Sequence, residues 1–270
     1  MPHMLILGMG YTASRLASRL RAEGWRISGV RRAADAEALA FDDVSAVRAT
    51  IAQATHILSS VPPEGDADPV LTRYGADMAA APAIWTGYLS STGVYGDAAG
   101  AWVDESSAIG FGRRAARTQA DTDWGALRPD MRRFRLPGIY GPGRSALDRV
   151  QEGRAHRIDL PDQIFSRAHV DDIVAGIAAS LHRGPPGIYN LSDDLPCAQN
   201  RLIEEACAIL RQPVPPLLTL EEAQLSPMAR SFYAENRRVA NGRAKRLLGW
   251  APRYPTYREG LRACLWSALH

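Results

Sequence analysis

Two short stretches carry residues whose type and spacing suit chemistry. LILGMGYTASRL, residues 5–16, holds Gly8-x-Gly10-x-x-Ala13 directly after an apolar run and at the start of a helical pattern. Gly8 suits a tight turn, Gly10 lets backbone approach a pyrophosphate, and Ala13 keeps helix and strand close. A helix that starts there turns free N–H groups and a positive dipole toward phosphates. The motif points to a dinucleotide site that includes Tyr11 and Thr12; plain turn glycines are the alternative. LSSTGVYGD, residues 89–97, puts Ser90, Ser91 and Thr92 at the end of a strand. Those hydroxyls are either turn filler or donors aimed at a substrate.

The second strand ends in Gly29-Val30-Arg31-Arg32. NAD-selective sites place an acid there, about 20 residues past the glycines, for the ribose hydroxyls. Arginine instead matches a 2′-phosphate in charge and shape, which favours NADP, with NAD as the other choice. The alternative for Arg31 and Arg32 is a solvated strand end. Asp42 follows the expected third strand, where it contacts adenine or caps the next helix.

These residues need a scaffold that brings strand ends together. Apolar runs at Met4–Leu7, Arg26–Val30, His56–Val61, Ala83–Ser90 and Met131–Leu136 read as strands. Helical patterns fall between them, at 12–23, 35–39, 44–53, 70–80 and 114–125. Strands alternating with helices mean an α/β fold with a doubly wound parallel sheet. Past residue 140 the pattern loosens into Gly/Pro-rich loops, an amphipathic helix over Ala198–Arg211 and a short helix over Gly242–Leu248 closed by Gly249.

Composition bounds the rest. With 270 residues, 46% hydrophobic and 23% charged, the chain has enough material for one large domain or a domain with a smaller lobe. A net charge of +3 without a basic run argues against nucleic-acid binding. No apolar run reaches the about 18 residues of a membrane span. The N-terminal stretch is too short and glycine-rich for a signal peptide. Cys197, Cys207 and Cys264 are odd in number and widely spaced, as expected of free thiols in a reducing compartment. The expectation is a cytoplasmic protein with a small-molecule substrate and no bound metal.

Six segments, in order, resemble the extended short-chain dehydrogenases/reductases, the NAD-dependent epimerase/dehydratase family: GMGYTASRL, LSSTGVYGD, RFRLPGIYGPGR, RAHVDDIVAGI, GIYNLSDDLP and RAKRLLGW. GxGY and SVPP place the chain closer to an atypical branch. The resemblance implies a Rossmann domain over 1–140 and about 165–182, with a C-terminal substrate lobe over about 141–164 and 183–270. It implies that Ser60, Val61 and Pro62 flank the cofactor. It also implies homodimers through Rossmann helices in some members.

The family's active site joins a Ser or Thr to a Tyr-x-x-x-Lys pair. The hydroxyl maps to Ser91, with Thr92 beside it. The pair does not exist here: Lys245 is the only lysine, and Asn241 stands four residues before it. Alignment of the helix puts Arg113 and Arg117 at the two positions. Arginine stays protonated near neutral pH and is no general acid. Arg117 suits the lysine's charge and ribose contacts, and Arg113 suits a substrate anion; a solvated helix face is the alternative for both. Tyr95, Tyr140, His169 and Glu105 are further proton-donor candidates, each with a structural alternative. Arg144 and Arg167 are candidates for substrate contacts. Two readings follow: an oxidoreductase, epimerase or dehydratase for a polar, anionic or sugar-nucleotide-like substrate, and an NADP-binding sensor without turnover.

Overall fold

The computed structural model describes residues 1–110 and 115–269. Seven strands form the central sheet: β1 His3–Leu7, β2 Arg26–Arg31, β3 Ala38–Ala40, β4 His56–Ser59, β5 Trp85–Ser91, β6 Met131–Leu136 and β7 Gly187–Asn190. Their spatial order is β7-β6-β5-β4-β1-β2-β3, and every pairing is parallel. This is the Rossmann order, with one strand added beyond β6. The helices are α1 Tyr11–Ala22, α2 Val44–Ile51, α3 Pro69–Ala80, α4 Ala115–Leu127, α5 Ala146–Gln151, α6 Val170–Ser180, α7 Gln199–Leu210, α8 Pro227–Ser231, α9 Gly242–Leu248 and α10 Tyr257–Leu269.

Both faces of a parallel sheet are covered, so its strands read as apolar runs. β1 shows this residue by residue. Met4 and Ile6 point into the core beneath α1 and α6, whereas Leu5 and Leu7 point into the core beneath α2 and α3. The helices bury matching stripes, Ala13, Leu16, Ala17 and Leu20 on α1 and Val70, Tyr74 and Met78 on α3. Asp68 caps α3 through the N–H groups of Val70 and Leu71 and accepts Trp124 Nε1 at 2.8 Å. That bond fixes α4 against α3.

Two sequence expectations change. The stretch 35–39 is not a helix. Asp35 bridges back to Ala38 and accepts the Glu37 N–H at 2.8 Å. A helix this short cannot recover its nucleation cost, whereas the edge of β2 offers backbone partners to Ala38–Ala40. The second change is at 187–190, expected in the lobe. It pairs with β6 over Arg132–Arg135 and closes the sheet edge. Leu248 and Trp250 follow it into the core of the main sheet, so α9 belongs to the Rossmann body as well.

The lobe has its own core, where α5, α7 and α10 bury Leu147, Val150, Leu202, Ile203, Ala206 and Leu261. Two further strand pairs form outside the main sheet, Gly138–Tyr140 with Arg167–His169 and Trp102–Val103 with Arg238–Val239, and the second ties the lobe to the sheet domain. No helix among the described residues is long and apolar enough to cross a membrane.

Candidate active site

The strand order reverses between β1 and β4, and ligands of open α/β sheets bind at the carboxyl ends of such a switch point. Gly8 sits there at φ +92°, a conformation that favours glycine. A Cβ on Gly8 would lie 2.9 Å from Val61 Cγ2, and the Ser60 hydroxyl donates to the Gly8 carbonyl. Ser60 and Val61 therefore brace the turn, with Pro62 next in the chain. A Cβ on Gly10 would meet nothing within 4 Å. Gly10 also heads α1 without any side-chain cap, which leaves first-turn N–H groups facing that open space. Thr12 and Ala13 are buried under the turn. The backbone fits a pyrophosphate.

The outer end differs from its sequence reading in one respect. Arg31 is ion-paired with Asp35, which folds back from the short turn that replaces the expected helix. An acid is thus present at the end of β2 after all. The Arg32 side chain is 94% exposed, with Glu64 at 3.9 Å. Asp42 is ion-paired with Arg73.

The hydroxyls of LSSTG divide by the alternation of β5. Ser90 is buried and donates to Asp121 Oδ1 at 2.6 Å. Asp121, fully buried on α4, also holds Arg133 at 3.0 Å and Arg135 at 2.7 Å. Ser91 and Thr92 line a cavity of about 690 Å³ between the sheet domain and the lobe. Ser91 Oγ accepts the Gly93 N–H at 3.1 Å, which leaves its own proton to donate. Arg117 lines the same cavity. Arg113 lies outside the described residues.

The other candidates separate clearly. Tyr95 is buried, donates to Asn190 Oδ1 at 2.8 Å and lies under the Arg135 guanidinium. Glu105 accepts the Asn190 N–H at 2.8 Å. His169 caps α6 by accepting the Asp171 N–H, packs edge-on against Tyr140 and Tyr254, and does not line the cavity. Burial pushes its pKa down to about 4, so it does not titrate in the range expected for a proton donor. In this structure Tyr95 and His169 both have interior hydrogen-bonding and packing partners and stand away from the cavity wall.

Tyr140, Arg144 and Arg167 do line the cavity. Tyr140 Oη is buried without a hydrogen-bond partner, and burial raises its pKa. Tyr11 links this wall to the glycine turn: its hydroxyl donates to the Pro142 carbonyl at 3.0 Å and its ring lies under Arg144. Arg167 donates to the carbonyls of Phe165 and Cys197, to Cys197 Sγ and to Gln199 Oε1, all neutral acceptors. Near it, Asp193 is 3% exposed, and burial pushes its pKa up to about 8 against the pull of Arg167.

Sequence reasoning missed Arg149, His156, Tyr233 and Arg237, which come from α5 and two lobe loops to the same cavity. One signal was present. The S-x-x-D of Ser145–Asp148 forms a capping box that starts α5 and sets the direction of Arg149. Among the described residues, no group of His, Cys, Asp and Glu is arranged to hold a metal ion.

No family model matches the chain. A Streptomyces sp. protein named 3-diazoavenalumate denitrifying reductase is 31% identical over 139 residues, 47% of this chain and 45% of that protein. The match thus spans less than half the length of that curated relative. Among solved structures, a functionally unknown conserved protein from Silicibacter pomeroyi DSS is 40% identical over 99% of both chains, with a TM-score of 0.87. A human epimerase family protein solved with NADPH is 17% identical over 97% of this chain and 99% of its own, with a TM-score of 0.77. MoeE5, solved with UDP-glucuronic acid and NAD, is 18% identical over 99% of both chains, with a TM-score of 0.74. The fold is that of the NAD-dependent epimerase/dehydratase and extended short-chain dehydrogenase/reductase proteins.

Proposed function

We propose that this chain, which belongs to one family with the Silicibacter pomeroyi protein and has the extended short-chain dehydrogenase/reductase fold, is an NADP-dependent reductase of a small organic anion. The observation that carries the reading is the placement of Ser91 and Thr92. They stand at the carboxyl end of β5, on the wall of a cavity of ligand size, in a sheet whose switch point is shaped for a dinucleotide. The first-turn N–H groups of α1 would hold the pyrophosphate and Arg32 the 2′-phosphate. When bound, a nicotinamide supplies or accepts the hydride.

The side chains then position rather than protonate. Ser91 has a proton to give in a hydrogen bond to a substrate oxygen or nitrogen. Arg117 offers charge where the family keeps a lysine. The lone lysine, Lys245, is ion-paired with Asp194 at 2.6 Å on α9. The undescribed residues 111–114 are Phe, Gly, Arg and Arg, none of them a general acid near neutral pH. Such a site favours acceptors whose reduction does not depend on a side-chain acid. A diazo group of diazonium character is one, and the Streptomyces relative is named for a diazo compound and for its reduction.

The test is NADPH consumption with carboxylate-bearing carbonyl compounds, sugar nucleotides and arenediazonium carboxylates. The reading expects turnover of a carboxylate-bearing member and a loss of about tenfold in kcat/KM for Ser91→Ala, the size of one hydrogen bond to the reacting group. Tight NADPH binding with no turnover in any class would replace it with the non-catalytic sensor, a reading that the missing Tyr/Lys pair itself favours.

A further inference from the structure

The cavity's charges do not balance locally. Of its carboxylates, Glu152 is ion-paired with Arg154, Glu235 with Arg237 at 2.8 Å, and Asp148 accepts the N–H and hydroxyl of Ser145. Arg149 projects from α5 into the same space. Among the described residues, its guanidinium has no hydrogen-bond or ion-pair partner. Burial lowers its pKa, and Arg167 and Arg154 lower it further. Arg167 behind it has only neutral hydrogen-bond acceptors, and Asp193 nearby is held toward its neutral form. Arg144 at the Tyr11 side has no carboxylate partner among the described residues either.

A half-buried guanidinium without a counter-ion is costly, and a ligand anion that pairs with it recovers that cost. Leu136, Ile139, Phe165, Leu202, Tyr233 and Val239 give the wall a broad apolar part. Pockets of about 300–1,000 Å³ that pair apolar walls with a few placed polar groups bind small molecules whose charged end fixes their orientation. We propose that Arg149, supported by Arg167 and Arg144, anchors a carboxylate at one end of an apolar or aromatic substrate, whose other end reaches Ser91. This rests on the reductase reading for the role of Ser91, but the anion subsite is testable without turnover.

The probe is cinnamate, titrated by calorimetry and by saturation-transfer NMR, with and without NADPH. The neutral analogue cinnamyl alcohol and phenyl phosphate are titrated in parallel. Cinnamate should bind, and Arg149→Met should weaken it at least tenfold while leaving thermal stability and NADPH affinity unchanged. Arg149→Lys should recover part of the loss. Cinnamyl alcohol should show no dependence on Arg149. Cinnamate binding that is absent, or equal in parent and Arg149→Met protein, overturns the anchor. Phenyl phosphate bound more tightly than cinnamate, in an Arg149-dependent way, overturns the carboxylate assignment. The two readings fail separately. Loss of NADPH binding in the parent removes the reductase reading, whereas Arg149-dependent cinnamate binding would still stand.

Discussion

Ser90 and Ser91 are chemically identical neighbours whose roles divide because successive β5 side chains point to opposite faces. Ser90→Ala removes a buried bond to Asp121, and denaturant melts should show a loss of about 1 kcal/mol. Ser91→Ala removes only a half-exposed cap on the Gly93 N–H, so it should cost less than Ser90→Ala, about 0.5 kcal/mol, while lowering activity. The reverse pattern would exchange their assignments. The hydroxyls' place at a strand end was legible in the sequence, but which of them is structural was not. That depends on Asp121, 30 residues downstream of Ser91, turning inward to meet Arg133 and Arg135. Asp193 gives a pH test. Its folded pKa, about 8, lies above that of an unfolded aspartate, so the native state holds its proton longer. Its contribution to stability therefore falls as pH rises from about 4 toward 8. Asp193→Asn should flatten that slope, by up to roughly 3 kcal/mol between pH 5 and 7. Urea melts at the two pH values check it, and parallel slopes in parent and variant would contradict it.

Among the elements, α4 has two jobs: it brings Arg117 to the cavity wall and sends the buried Asp121 carboxylate into the sheet. Asp121→Ala leaves the Arg135 guanidinium buried without its ion pair, a loss expected at about 3–5 kcal/mol by thermal or chemical melting. A loss below 1 kcal/mol would mean that α4 is held by Trp124 and its apolar contacts alone. The strands and most helices were legible because each follows a local apolar pattern. The turn at 35–39 was not, because its alanines suit a helix and only the edge of β2 makes the extended form better. β7 was missed for a related reason: GIYN pairs with β6 more than 50 residues away in sequence. Its assignment depends on an open sheet edge that no local pattern displays.

For the whole molecule, two sites meet at the carboxyl edge of one sheet: a glycine turn open above Gly10 and a basic, apolar-walled cavity beside Ser91. The first was legible as a motif. The second was legible only at Ser91, Thr92, Arg117, Tyr140, Arg144 and Arg167, because its other arginines come from lobe elements joined only in the fold. The turn should hold a nicotinamide dinucleotide, and the Gly10→Val variant probes the space its pyrophosphate would fill. Gly10 has φ −88° and ψ −170°, which an L-residue adopts freely, and its Cβ meets no protein atom within 4 Å. The substitution should therefore cost little stability while filling the space for the pyrophosphate. Equilibrium titration with NADPH, followed by nicotinamide fluorescence, should show saturable binding to the parent. In Gly10→Val it should be at least tenfold weaker, with an unchanged Tm. Equal binding by both proteins, or no saturable binding by the parent, would mean that the turn does not hold the dinucleotide.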